Sequence, residues 1–167
     1  ALNGFLWFPD ISLKKEDELG DDGISEAQRF GQQLHLVLSE AHEENEVLEK
    51  LETLILEGKV DEENKEKILK ETQKLFGGHL KDIYSKASKI WSEQAILSPE
   101  DDGSIRPDKL IKMNDGQLLI LDFKTGVERK NDILQVKRYK ARVKEMFNQE
   151  VRGALLYTTE NELKWVD

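Results

Sequence analysis

The chain has 167 residues, of which 38% are hydrophobic, enough for one buried core, and it carries a formal charge of −9. It contains no cysteine, which excludes disulfides, cysteine-ligated zinc and iron–sulfur clusters and fits a reducing, cytoplasmic setting. No apolar run reaches the roughly 20 residues needed to cross a bilayer, and the N-terminus lacks a secretory signal, so a soluble chain without membrane contact is expected.

Residues 1–24, with Pro9, Gly20, Asp21, Asp22 and Gly23, read as an irregular, locally packed lead-in. Ser25 opens a helix with Phe30, Leu34, Val37, Leu38 and Ala41 at helical spacing, and His35 lies inside it. A second amphipathic helix ends near Gly58, Asp61 caps a third that runs to Gly77-Gly78, and a fourth is expected over Leu80 to Ile90. The period then changes. Strands are expected from Trp91 (W-S-E-Q-A-I-L), over Ile105 to Met113, and from Gln117 (Q-L-L-I-L-D-F), with Asn114-Asp115-Gly116 joining the last two as a hairpin. Asn131 or Asp132 caps a long helix through Met146, and one or two closing strands flank Glu160-Asn161. The division expected is a lead-in over 1–24 and a single domain over 25–167, with a helical part at 25–90 and an α/β core at 91–167.

Charge is unevenly spread. Glu16 to Glu63 holds sixteen acidic residues against Arg29, Lys50 and Lys59, whereas Lys124 to Lys144 holds eight basic residues against Glu128 and Asp132. A polyanionic partner would meet the second stretch, although the run from Lys137 to Lys144 encircles most of its helix, so only part of it faces one partner. The acidic stretch reads as a solvated helix surface.

The chemistry centres on Asp122-Phe123-Lys124. Asp122 and Lys124 share a strand face, and Asp108 falls on the partner strand of the hairpin. Two carboxylates beside an ammonium suit a hard divalent cation, and a Lys there can orient or deprotonate a water and offset transition-state charge. The same D-x-K pattern also fits a surface ion pair. Its position at the end of L-L-I-L, against Thr125-Gly126, favours the functional alternative, because charges at a core edge are where perturbed carboxylates lie.

The runs I-R-P-D-K-L-I, L-L-I-L-D-F-K-T-G and L-Q-V-K-R-Y, with F-G-Q-Q-L-H and W-S-E-Q-A-I-L upstream, resemble the PD-(D/E)XK nuclease superfamily. The likeness is to the RecB-like nuclease domains at the C-terminal end of UvrD/Rep-type helicases of the RecB and AddA kind. Four motifs occur in family order between Gly31 and Tyr139, about two-thirds of the chain. The resemblance implies an αβββαβ core with a mixed sheet flanked by helices, and helices from the front half packed around the cleft.

It also implies roles. Asp108 and Asp122 would be carboxylate ligands of Mg²⁺ or Mn²⁺, the Phe123 carbonyl a further oxygen ligand, and His35 an imidazole ligand. Lys124 would be the catalytic lysine, and Glu93 would bind metal through water or steady the site. Gln135 and Tyr139 match Q-x-x-x-Y and share a helix face, to contact DNA or hold Lys124; Lys137 and Arg138 beside them would meet DNA. His42 and His79 match no motif, and Trp91 and Trp165 read as core. One departure is Arg106-Pro107-Asp108-Lys109 where many members carry G-x-I-D-R.

The function expected is metal-dependent hydrolysis of DNA phosphodiesters, as an exonuclease rather than an endonuclease, in recombination or repair. Opening on Ala1, the chain reads as part of a longer polypeptide with a helicase motor, whose G-x-x-x-x-G-K-[ST] loop is absent from these 167 residues. The rival is a catalytically silent nuclease-like module that binds DNA or a partner domain.

Overall fold

The structure is a computed structural model, and it describes residues 5–7, 24–92, 94–96 and 106–167. Glu93, Ile105 and most of the lead-in lie outside the described residues. Within the lead-in, β1 (Phe5–Trp7) pairs antiparallel with β3 (Gln94–Ile96), which ties these three residues to a distant segment.

The first helix, α1 (Glu26–Glu40), starts where its capping chemistry dictates: the Ser25 hydroxyl accepts from the Gln28 N–H and the Gln28 side chain accepts from the Ser25 N–H. Such an N-cap stabilises a helix by about 1 kcal/mol. Phe30, Leu34, Val37 and Leu38 are buried on one face. α2 (Glu44–Leu56) buries Val47, Leu51 and Leu54. Asp61 does not cap the third helix. A 3₁₀ turn over Glu62–Asn64 intervenes, α3 begins at Lys65 and runs to Phe76, and the Asp61 carboxylate is used by Arg29 (2.6 and 3.0 Å) and by Gln33 Nε2 (2.9 Å). The fourth helix is also shorter than its apolar spacing suggests. α4 covers His79–Ser85, and Ala87 and Ile90 belong to β2 (Ala87–Ser92), where Ile90 pairs with Ile111.

Among the described residues the main sheet has five strands in the order β2, β4 (Lys109–Met113), β5 (Leu118–Lys124), β6 (Val151–Tyr157) and β7 (Glu162–Val166). β2, β4 and β5 form an antiparallel meander, with Met113 N–H bonded to Gln117 O at 2.8 Å across the Asn114-Asp115-Gly116 turn. α5 (Lys130–Phe147) then carries the chain over one face so that β6 returns parallel to β5, and β7 closes the sheet antiparallel to β6. The α5 start is set by Arg129 as N-cap, whose N–H donates to Asp132 three positions on; Asp132 lies inside the first turn and is not the cap.

Alternation along β5 builds the layers. Leu119, Leu121 and Phe123 pack with Ile111, Ala154 and Leu156 against the front helices. Leu118 and Ile120 face the other way, toward Tyr139 and Val143 of α5, while Val136 of α5 packs with Leu155 and Tyr157. α5 can lie close to the sheet because a Cβ at Gly153 would stand 2.6 Å from Val136 Cγ1. The chain is thus α/β, with a mixed sheet between the four front helices and α5. No described helix is long and apolar enough to cross a membrane.

Candidate metal-dependent site

The register of the β4–β5 pair decides the site. Lys109 pairs with Leu121, so Asp108, one residue before β4 begins, stands opposite Asp122. Asp108 therefore belongs to the bend leading into the strand and not to the strand itself. Its N–H donates to Asp122 Oδ1 at 2.9 Å, and Phe123 N–H donates to Asp108 Oδ2 at 2.8 Å. Each carboxylate has one oxygen fixed by main chain. The other oxygens face cationic side chains at longer range: Asp108 Oδ1 lies 3.6 Å from His35 Nδ1, and Asp122 Oδ2 lies 3.7 Å from Lys124 Nζ.

Three further side chains, from two helices, complete the cluster. His35 arrives from α1, with its ring edge-on to the Phe123 ring at 6.1 Å between centroids. That helix sits close to the end of β5 because residue 31 is glycine: a Cβ there would be 2.7 Å from Thr125 Oγ1. Gln135 reaches from α5 and accepts from Lys124 Nζ at 2.7 Å. Tyr139, one turn further along α5, is buried, and its hydroxyl is held protonated by burial and by the charges of Asp122 and Asp108. The His35, Asp108, Asp122, Lys124, Gln135 and Tyr139 side chains thus meet at one end of the sheet. Phe123 contributes its N–H to the Asp108 carboxylate and its ring to His35. Lys137 and Arg138 are exposed on α5, with Arg138 near enough to Tyr139 to favour its ionised form. Glu93 lies outside the described residues.

The electrostatics follow from burying two acids side by side. Burial pushes Asp108 up, but His35, the Phe123 N–H and Lys124 outweigh it and hold its carboxyl below the ordinary range. Asp122 goes the other way. Burial and the adjacent Asp108 charge push it up to about 7 against the pull of Lys124. Burial alone would lower His35, yet Asp108 and Asp122 raise it above 6.5. In the absence of a cation the cluster therefore holds protons that two free carboxylates and an imidazole would release.

Among the described residues no three His, Asp or Glu side chains are grouped closely enough to form a metal cage. The donor chemistry still fits a hard divalent cation. Asp108 Oδ1 and Asp122 Oδ2 are engaged only at 3.6 and 3.7 Å, and the repulsion that raises Asp122 is what a dication between them would relieve. One or two carboxylates with retained water and substrate phosphate is the usual magnesium arrangement, so a closed three-residue cage is not required.

Sequence reasoning passed over Lys109, Ser92, His42 and Tyr84. Lys109 is completely buried, and its ammonium meets Ser39 O (3.3 Å), His42 Nε2 (3.1 Å) and Ser92 Oγ (2.5 Å). Its signal was present in the alternation, since Lys109 shares a strand face with Ile111 and Met113. The Tyr84 hydroxyl is buried without a hydrogen-bond partner among the described residues and lies within the field of Asp108. No protein-family model matches the chain, and no curated protein shows significant similarity to it.

Proposed function

We propose that the chain is a metal-dependent nuclease domain that hydrolyses DNA phosphodiesters, built on a restriction-endonuclease-like αβββαβ core of the RecB-like kind. The observation that carries this reading is the meeting of His35, Asp108, Asp122 and Lys124 at the C-terminal end of β5, from elements far apart in the sequence. The succession of α1, the β2–β4–β5 meander, α5 and the parallel β6 supports the same reading.

In this proposal Asp108 and Asp122 would hold Mg²⁺ or Mn²⁺, with His35, 3.6 Å from Asp108, as the further ligand that the resemblance implies. A dication so held supplies Lewis-acid polarisation of the phosphodiester and lowers the pKa of water. Lys124, steered by Gln135, orients the attacking water in line with the leaving oxygen and offsets charge developing on the phosphoryl oxygens. The clasp between the acids fixes their geometry in advance, which spares reorganisation at the moment of reaction. The exposed Lys137 and Arg138 beside Tyr139 provide a cationic approach for a phosphate backbone, and the net charge of −9 keeps affinity for DNA weak in isolation. Exonucleolytic action within a longer helicase-nuclease of the cytoplasm is the setting proposed.

The test is degradation of end-labelled single- and double-stranded DNA by the purified chain with Mg²⁺, Mn²⁺ or chelator. Cleavage that needs the cation, and is abolished in Asp122→Ala and Lys124→Ala proteins that still fold, is expected. A well-folded wild type that binds DNA but leaves it intact in every metal would instead establish the silent module.

A further inference from the structure

We propose that Lys109 is a positioning residue that locks α1 to β4 and so holds His35 against Asp108. Asp108 and Lys109 are consecutive, and both side chains reach the same helix, α1. Asp108 faces His35 at 3.6 Å, and the Lys109 ammonium donates to the carbonyl of Ser39, one helical turn further on. Ser39 is in the last turn of α1 (Glu26–Glu40), where carbonyls have no partner within the helix and the helix dipole favours a cation.

The ammonium also ties in its surroundings. It meets His42 Nε2 just beyond α1 and Ser92 Oγ at the end of β2, and His42 Nε2 and Ser92 Oγ are themselves 3.1 Å apart. Three segments thus converge on one charge that is 0% exposed. Removing an ammonium from water is costly, and an apolar side chain would fill the same space without that cost. A buried charge with directed bonds does what an apolar side chain cannot, which is to specify one position of α1 along the sheet. The site tolerates little sliding, because His35 is brought in by a helix already in close approach to Thr125.

The chain has only three histidines, His35, His42 and His79, so long-range ¹H–¹⁵N correlations of their rings report on three places at once. Lys109→Met in the full chain is expected to move the His42 signals, which lose a direct contact, and also those of His35, which Lys109 does not touch, while His79 stays put. Lys109→Arg should return His35 toward its native position. A shift confined to His42 would overturn the proposal. If Lys109→Met does not fold, Ser92→Ala, which removes one acceptor, decides by the same criterion. The link to catalysis rests on the nuclease reading. There Lys109→Met should reduce kcat about tenfold with KM within about twofold, and cleavage by the variant at the wild-type rate would overturn that link. A wild type that cleaves no DNA would sink the nuclease reading alone and leave the histidine signals to judge Lys109.

Discussion

Asp108 and Asp122 are clasped through each other's main chain: the N–H of Asp108 bonds the Asp122 carboxylate at 2.9 Å, and the N–H of the residue after Asp122 bonds the Asp108 carboxylate at 2.8 Å. Two acids are thereby fixed side by side, Asp122 buried and Asp108 half-buried, where charge repulsion has to be met by protons or by a cation.

That repulsion sets a pH dependence. The Asp122 carboxyl is pushed from 3.8 up to about 7, so its contribution to stability is complete below 3.8 and is lost as pH rises through about 7. His35, raised above 6.5, loses its contribution in the same direction. Metal-free protein is therefore expected to melt several degrees lower at about pH 8 than at about pH 6, at roughly 2–4 °C per kcal/mol for a chain of this size. Asp122→Asn should flatten that slope, and Mn²⁺ should raise the melting temperature most on the alkaline side, since binding displaces protons. Identical slopes for wild type and Asp122→Asn would mean that Asp122 titrates normally.

His42 acts on the acid side. Burial, then the Lys109 charge, lower it to about 4, so its contribution is present above 6.5 and is lost as pH falls toward 4. Urea unfolding across that window should show wild-type stability declining more steeply than that of His42→Gln, which cannot charge. A steeper decline in the variant contradicts the assignment of a neutral imidazole beside the ammonium.

Gly31 tests whether close approach of α1 matters. Alanine is favoured over glycine inside a helix by about 1 kcal/mol, but the new Cβ would stand 2.7 Å from Thr125 Oγ1, and overpacking costs about 1–3 kcal/mol. Gly31→Ala is expected to be neutral to destabilising and to slow cleavage. With Thr125→Ala as background the same change should stabilise by about 1 kcal/mol. Thermal melts of the four proteins complete the cycle, and additivity would mean that the two residues do not interact.

Gln135 is expected to matter through Lys124. Gln135→Leu removes the acceptor 2.7 Å from the ammonium, leaving Lys124 to swing toward Asp122. Cleavage should fall about tenfold or more in kcat with little change in melting temperature. A variant with raised KM and intact kcat would assign Gln135 to DNA binding instead.

Much of this site was readable from local pattern. Asp122-Phe123-Lys124 closes an apolar run, Asn114-Asp115-Gly116 makes the turn, and Ser25 with Gln28 sets the start of α1, because each depends on neighbours a few residues apart. The parts that were not readable depend on partners far away. Whether Asp61 caps a helix or accepts from Arg29 is a competition between a local and a distant donor, and the distant one won. Ile83, Tyr84, Ala87 and Ile90 have helical spacing, yet pairing with β4 draws Ala87 and Ile90 into a strand. Alternation puts Lys109 on the face of Ile111, but nothing local says what would receive a buried ammonium there. The partners that receive it, His42 and Ser92, lie 67 and 17 positions away.

The Lys109–Ser39 contact spans 70 positions of chain. Closing a loop of that length costs entropy before any reward, whereas the β4–β5 hairpin closes through a short turn. On refolding, the two acids should therefore find each other early and His35 join them late. Ring signals from His35, or cleavage itself, would then time the arrival of the native state more faithfully than secondary structure does.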